Sequence, residues 1–177
     1  RNWLLEYVDA WAERTKANAG IIPSNIGLDG TIGGACQGKW YGGVYGWAFT
    51  VVVPQTGALA HRSYFRRCPY GFGNALLLTG DQGYVDLWRG VIDAVNANAK
   101  DVGGQRLYPH MHGDQGWYDY TEEPFGVGAL EVYYWSMKRA DLERLPARTD
   151  GWLAFLEGQD PNYPERSLRQ ALETVRQ

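Results

Sequence analysis

Gly71-Phe72-Gly73-Asn74-Ala75-Leu76-Leu77-Leu78-Thr79-Gly80-Asp81-Gln82-Gly83-Tyr84-Val85-Asp86-Leu87-Trp88-Arg89-Gly90-Val91-Ile92-Asp93 is the stretch on which the reading of the fold turns. Its first part opens a short apolar helix, Thr79-Gly80-Asp81 turns the chain, and Gln82–Ala99 follows as an amphipathic helix. The stripe of that helix is Tyr84, Leu87, Trp88, Val91, Ile92 and Val95, at the spacing of one helical face. A comparable unit comes later. Gly126-Val127-Gly128-Ala129-Leu130 opens a helix to about Met137, a turn spans Lys138–Asp141, and Leu142, Trp152, Leu153, Phe155 and Leu156 continue the apolar pattern. Repeated short-helix, turn, longer-helix units stack as helical hairpins into solenoids or toroids.

Working outward, Trp3, Leu4, Tyr7, Val8, Trp11 and Ala12 recur at helical spacing, and Gly20 stops a helix over Asn2–Ala19. Behind Pro161 and Pro164, residues Leu168, Ala171, Leu172 and Val175 mark another helix over Glu165–Gln177. Ile21–Lys39 is a glycine-rich loop, long enough to carry function rather than merely connect. Gly43–Val53 reads as a buried helical segment, with a strand as the alternative because Thr50-Val51-Val52-Val53 is β-branched. These elements give an all-α expectation: an incomplete (α/α) toroid of helical hairpins with long Gly-rich loops, spanning residues 1–177. So few hairpins do not close a ring, so the chain reads as part of a longer protein; a small helical domain is the alternative.

Composition narrows the function classes. With 177 residues, 45% apolar and 21% charged, the chain has the makings of an ordinary packed domain rather than a disordered tail. A net charge of −3 argues against a broad nucleic-acid surface, and no run approaches the roughly 18 apolar residues of a membrane span. Eight Trp and 12 Tyr beside 23 Gly suit a cleft in which rings stack on a ligand. Cys36 and Cys68 are too few for a zinc site by themselves and leave the redox compartment open.

The run LLLTGDQGYVDLWRGVID (76–93) after GFGNA (71–75), with GKWYGGVYGW (38–47) after a Gly-rich loop, resembles bacterial (α/α)-toroid carbohydrate-active enzymes. Unsaturated-uronide hydrolases and polysaccharide lyases belong to that class. The resemblance covers the chain in style, without a signature that selects one family. It implies a site where the loops between hairpins converge, a poly- or oligosaccharide substrate, no cofactor, and a periplasmic or secreted protein.

Several residues are candidates for that chemistry. Asp29 lies among glycines ahead of Trp40, Tyr41, Tyr45 and Trp47, which suits a carboxylate beside sugar-stacking rings; the alternative is an Asx turn. Tyr108–Asp119 holds two of the three histidines, and an extended backbone places His110, His112 and Asp114 on one side. Proton transfer by a histidine, a structural loop and a metal site are the three readings. The His-x-His-x-Asp run resembles the opening of the metallo-β-lactamase motif, but Gln115 stands where a further His should follow, and no metal is expected. Arg62, Arg66 and Arg67 form a basic cluster that suits a uronate carboxylate or a solvated loop. Glu131, on an apolar helix, must be paired or face a cavity. Asp81 reads as a helix cap, and the Gly-x-Gly pairs at Gly71 and Gly126 as close backbone packing rather than phosphate loops.

The expected function is therefore a glycoside hydrolase acting on an acidic glycan through paired carboxylates from Asp29, Asp114, Asp119 and Glu131, with Asp29 and Asp114 preferred. Asn25, Trp40, Tyr41, Tyr45, Trp47, Arg67 and Trp117 would bind substrate. One rival is a lyase with Tyr118, His110 or His112 as base and an Arg, Asn25 or Asn74 on the uronate. The other is a non-catalytic helical scaffold or glycan-binding module.

Overall fold

The computed structural model describes residues 2–61, 68–145 and 151–176, and the chain divides into two compact units, 1–144 and 145–177. The first unit begins with α1 (Asn2–Ala17), whose end is fixed by Ala19 and Gly20 at φ of 55° and 80°, with the Gly20 amide on Thr15 O. After a long loop come β1 (Thr50–Val52) and β2 (Leu59–His61), then α2 (Pro69–Thr79) and α3 (Gly83–Asn96). Next are β3 (Lys100–Val102), β4 (Gln105–Gly113), β5 (Gly116–Thr121), α4 (Ala129–Ser136) and a 3-10 segment, Arg139–Arg144.

The all-α toroid is therefore wrong: the fold is mixed α/β, with an antiparallel β1-β2 pair and an antiparallel β3-β4-β5 sheet. The physical reason lies in short turns that helical periodicity does not register. Gly103 and Gly104 have φ of 59° and 84°, the two successive positive values of a hairpin turn whose twist matches that of its strands. Asp114-Gln115 then folds β4 back on β5, with Gly113 opposite Gly116. Gly43–Val53 is not a helix. It consists of turns followed by β1, so the β-branched side chains decide that segment.

The helical hairpin at 69–96 does form, and its packing explains the glycines. Val85, Trp88, Val91, Ile92 and Val95 are the buried face of α3, and Phe72, Ala75 and Leu76 of α2 bury with them. A Cβ at Gly73 would collide with the Trp135 ring, and one at Gly128 with Pro69. Gly128 also has φ 78°, and Trp88 Nε1 donates to the neighbouring Val127 O at 2.8 Å. Asn96 ties α3 to the segment before α4 by donating to Phe125 O (2.9 Å) and accepting the Phe125 amide (2.8 Å). Arg89, buried on α3, makes a two-pronged ion pair with buried Asp141, both contacts 2.7 Å. Asp81 accepts the Gly83 amide at the start of α3, the capping role its position suggests.

The second unit contains α5 (Gly151–Leu156) and α6 (Tyr163–Arg176). Trp152 meets Phe155 and Tyr163 edge-on, while Leu168, Leu172 and Val175 of α6 are exposed. Among the described residues no helix is long and apolar enough to cross a membrane.

Candidate functional site

The Gly-rich loop and the β4-β5 hairpin, far apart in sequence, meet in the first unit. The loop is held from within. Ser24 Oγ donates to Gly42 O at 3.0 Å, Trp47 Nε1 to Ile22 O at 2.8 Å, and the His112 amide to Trp47 O at 3.1 Å. Gly46 has no room for a side chain, since a Cβ there would lie 2.6 Å from Ser24 Oγ. Asn25 accepts the Ala35 amide through its side chain (3.1 Å) and the Gly33 amide through its backbone (2.8 Å). It shapes the loop that presents the rings.

Those rings enclose His112. Its imidazole lies 4.6 Å from the Trp40 ring, 4.8 Å from Tyr41 and 4.9 Å from Trp117, centre to centre. Trp47, fully buried, meets both Trp40 and Trp117 edge-on and forms the floor. Burial pushes the His112 imidazole below its ordinary value, and its Nδ1 is buried with no hydrogen-bond partner among the described residues.

At the tip of the hairpin Asp114 receives Lys39 Nζ at 2.8 Å on Oδ1 and 2.9 Å on Oδ2, and Tyr41 OH at 2.9 Å on Oδ1. The Lys39 and Tyr41 hydrogen bonds hold the Asp114 carboxyl below the usual range. The same contacts push the Lys39 ammonium and the Tyr41 phenol up. At neutral pH the cluster is an ionised carboxylate, a protonated amine, an intact phenol and a neutral imidazole. That set accepts and donates hydrogen bonds in fixed directions. Asp114 holds no proton to give a leaving group.

The other expected residues fall elsewhere. Asp29 forms the local turn, accepting the Thr31 amide (3.0 Å) and hydroxyl (2.8 Å), which hold its carboxyl low. The preferred pair is thus not brought together by any shared contact: Asp114 binds Lys39 and Tyr41, Asp29 binds Thr31. His110 Nε2 contacts Glu123 O and Thr121 Oγ1, both at 3.0 Å, where the ladder is interrupted opposite Asp119 at φ 55°. Tyr118 OH bonds Thr50 Oγ1 at 2.7 Å. Glu131 receives Tyr70 OH at 3.5 Å, and Tyr45, at φ 67°, packs on Phe49 and is exposed. Asn74 is exposed on α2. Arg62, Arg66 and Arg67 lie outside the described residues. Among the described residues no three His, Cys, Asp or Glu side chains gather as a metal site; His112 and Asp114 share Tyr41 as a neighbour, while His110 has other partners.

Two contributions escaped the sequence reading. Lys39 supplies a cation beside the rings, and its place directly before Trp40-Tyr41 was the available signal. Trp3, Tyr7 and Trp11 have core-like spacing, yet Trp3 is 73% and Tyr7 53% exposed, so these two face outward while Trp11 is half-buried. Cys36 and Cys68 are free thiols, and burial pushes Cys68 up to about 12.

Comparison with known families places the chain. It belongs to the family defined by DUF8034, a domain of unknown function, whose model matches residues 1–108. The match includes Lys39, Trp40 and Tyr41 and stops before His112, Asp114 and Trp117. No curated protein and no solved structure matches the chain.

Proposed function

We propose that the first unit acts on glycans, and that its site is the ring cluster around His112 with the Lys39-Asp114-Tyr41 group at its edge. The observation that carries this reading is the fixed, ionised Asp114 carboxylate beside half-buried Trp40, Tyr41 and Trp117. Sugars offer vicinal hydroxyls to such a carboxylate and ammonium, and apolar C–H faces to the rings. Recognition is the first role of this group. In a hydrolase Asp114 would serve as the ionised partner, and the proton donor would be a different residue.

A specific observation favours a second reading, elimination from an acidic glycan. Neutral His112 is in the protonation state a base needs, and among the expected bases it alone lies within the ring cluster. The test is a panel of neutral and uronic-acid polysaccharides, following binding, reducing-end release and ultraviolet absorbance of unsaturated uronides together. Glycan binding that weakens in Asp114→Asn supports the site. Reducing ends alone mark hydrolysis, and both signals mark elimination. Absence of binding and of both signals across the panel overturns the reading.

A further inference from the structure

The outward rings of α1 border a groove that the Asp114 cluster does not use. Tyr7, Trp11, Arg14, Leu28, Asp29 and Gly30 line a hollow of about 440 Å3, between α1 and the turn that Asp29 closes. A second hollow of about 240 Å3 shares Tyr7 and Trp11 and is apolar, with Val8, Ile22 and Phe72 in its wall. Trp3 stacks on Tyr7 at 5.8 Å and 18°, which extends the aromatic face along the helix.

Arg14 is the unusual member. Its Nη1 donates to Ala10 O at 2.8 Å, but its Nε is buried with no partner, and no carboxylate pairs with it among the described residues. Gly30, at φ 84°, gives the guanidinium room: a Cβ there would come within 2.9 Å of Nη2. The buried Nε is out of a ligand's reach, but Nη2, beside Gly30 and with no acceptor among the described residues, is the N–H that an oxygen anion can take. Asp29 lines the same groove with its oxygens turned onto Thr31. One guanidinium and one carboxylate leave the groove near neutral, which suits a singly charged carboxylate among hydroxyls and opposes a doubly charged phosphate.

We infer that this groove binds the carboxylate-bearing sugar of an acidic glycan, with Arg14 on the carboxylate and Tyr7 and Trp11 against the ring. The inference rests on the glycan reading above and gives the acidic sugar a place of its own, on α1 and apart from the Asp114 cluster. Asp29 accepts sugar hydroxyls at the lip, and Leu28, wholly exposed beside it, covers the bound face.

Calorimetric titration of the whole chain with trigalacturonate and with its methyl ester tests this, because the ester keeps the shape and removes the charge. The acid is expected to bind at least about tenfold more tightly than the ester. Arg14→Gln should abolish that difference. Ala10→Glu, which puts a carboxylate on the groove wall four residues before Arg14 to pair with the guanidinium, should do the same, whereas Ala10→Gln, of equal size, should keep the difference. This pair also keeps the variant series informative if Arg14→Gln does not fold. Equal binding of acid and ester, discrimination surviving in both Arg14→Gln and Ala10→Glu, or tighter binding of glucose 6-phosphate than of galacturonate overturns the inference while leaving glycan binding in place. Failure of acid, ester and neutral oligosaccharides alike to bind removes both.

Discussion

Lys39 Nζ lies 2.8 Å from Asp114 Oδ1, joining the Gly-rich loop to a hairpin tip 75 residues later in the chain. Tyr41, two residues after Lys39, completes the contact with its phenol on the same carboxylate. Both partners are exposed, so the pair orients the site more than it stabilises the fold. Asp114→Asn should leave urea unfolding near wild type. Its signature is elsewhere: the Tyr41 phenol, held above its ordinary value chiefly by the hydrogen bond to Asp114, should titrate at lower pH in the variant. Carbon-13 NMR of labelled tyrosine reads this directly, and an unchanged Tyr41 titration contradicts the geometry.

Arg89 and Asp141 are the opposite case, a pair buried between α3 and the 3-10 segment, with Ser136 also donating to Asp141. Removing Asp141 leaves the buried Arg89 guanidinium with only the exposed Asp86 carboxylate as an ion-pair partner. Asp141→Asn should cost about 3–5 kcal/mol in urea unfolding. Replacing both, as Arg89→Met with Asp141→Leu, should recover most of that loss. The pair also sets an acid limit. The Arg89 hydrogen bonds lower the Asp141 carboxyl, so its stabilisation is complete above the ordinary aspartate value of about 3.9 and is lost as pH falls through the lower folded value. The urea midpoint of Asp141→Asn should therefore fall less steeply below about pH 4 than that of the wild type.

His112 should titrate below the ordinary histidine value of about 6.5, because burial among Trp40, Tyr41 and Trp117 disfavours the imidazolium. Here the sign favours stability at higher pH. The unfolded chain takes the proton first, so stability falls as pH drops from about 6.5 towards the folded value and then levels off. Proton NMR of the ring locates the midpoint, and His112→Asn should remove that segment of the pH dependence. A midpoint at or above about 6.5 rejects a buried neutral imidazole.

The helices of the first unit were legible because their signals are local. Val85, Trp88, Val91, Ile92 and Val95 repeat with the helical period, and Gly80 ends α2 at φ 77°. The β4-β5 hairpin was not, since Tyr108–Gly113 mixes aromatic, proline and histidine residues and its partner strand shows no plain alternation. Gly103-Gly104 and the β-branched run Thr50–Val53 were the strong local signs of β structure. The site was half legible. The glycine-rich loop and the histidine segment stood out separately, but the tertiary contact that pairs Lys39 with Asp114 and leaves Asp29 on Thr31 has no signature in spacing. Exposure is likewise silent in a pattern, so the outward turn of Trp3 and Tyr7 could not be read from their spacing.

Gly128 should tolerate no side chain. Its φ of 78° is a conformation that L residues adopt at a cost, and a Cβ there would press into Pro69 and come within 2.6 Å of Trp88 Nε1, the atom that donates to Val127 O. Gly128→Ala combines backbone strain with overpacking, and the loss expected in urea unfolding is about 2–4 kcal/mol. Gly116, also at positive φ (86°) but with open space around it, separates the two causes. Gly116→Ala carries the strain alone and should cost about 1–2 kcal/mol. Equal losses in the two variants would mean that the contact between the start of α4 and the α2-α3 hairpin yields freely, against the close packing of Gly128 on Pro69 and Trp88.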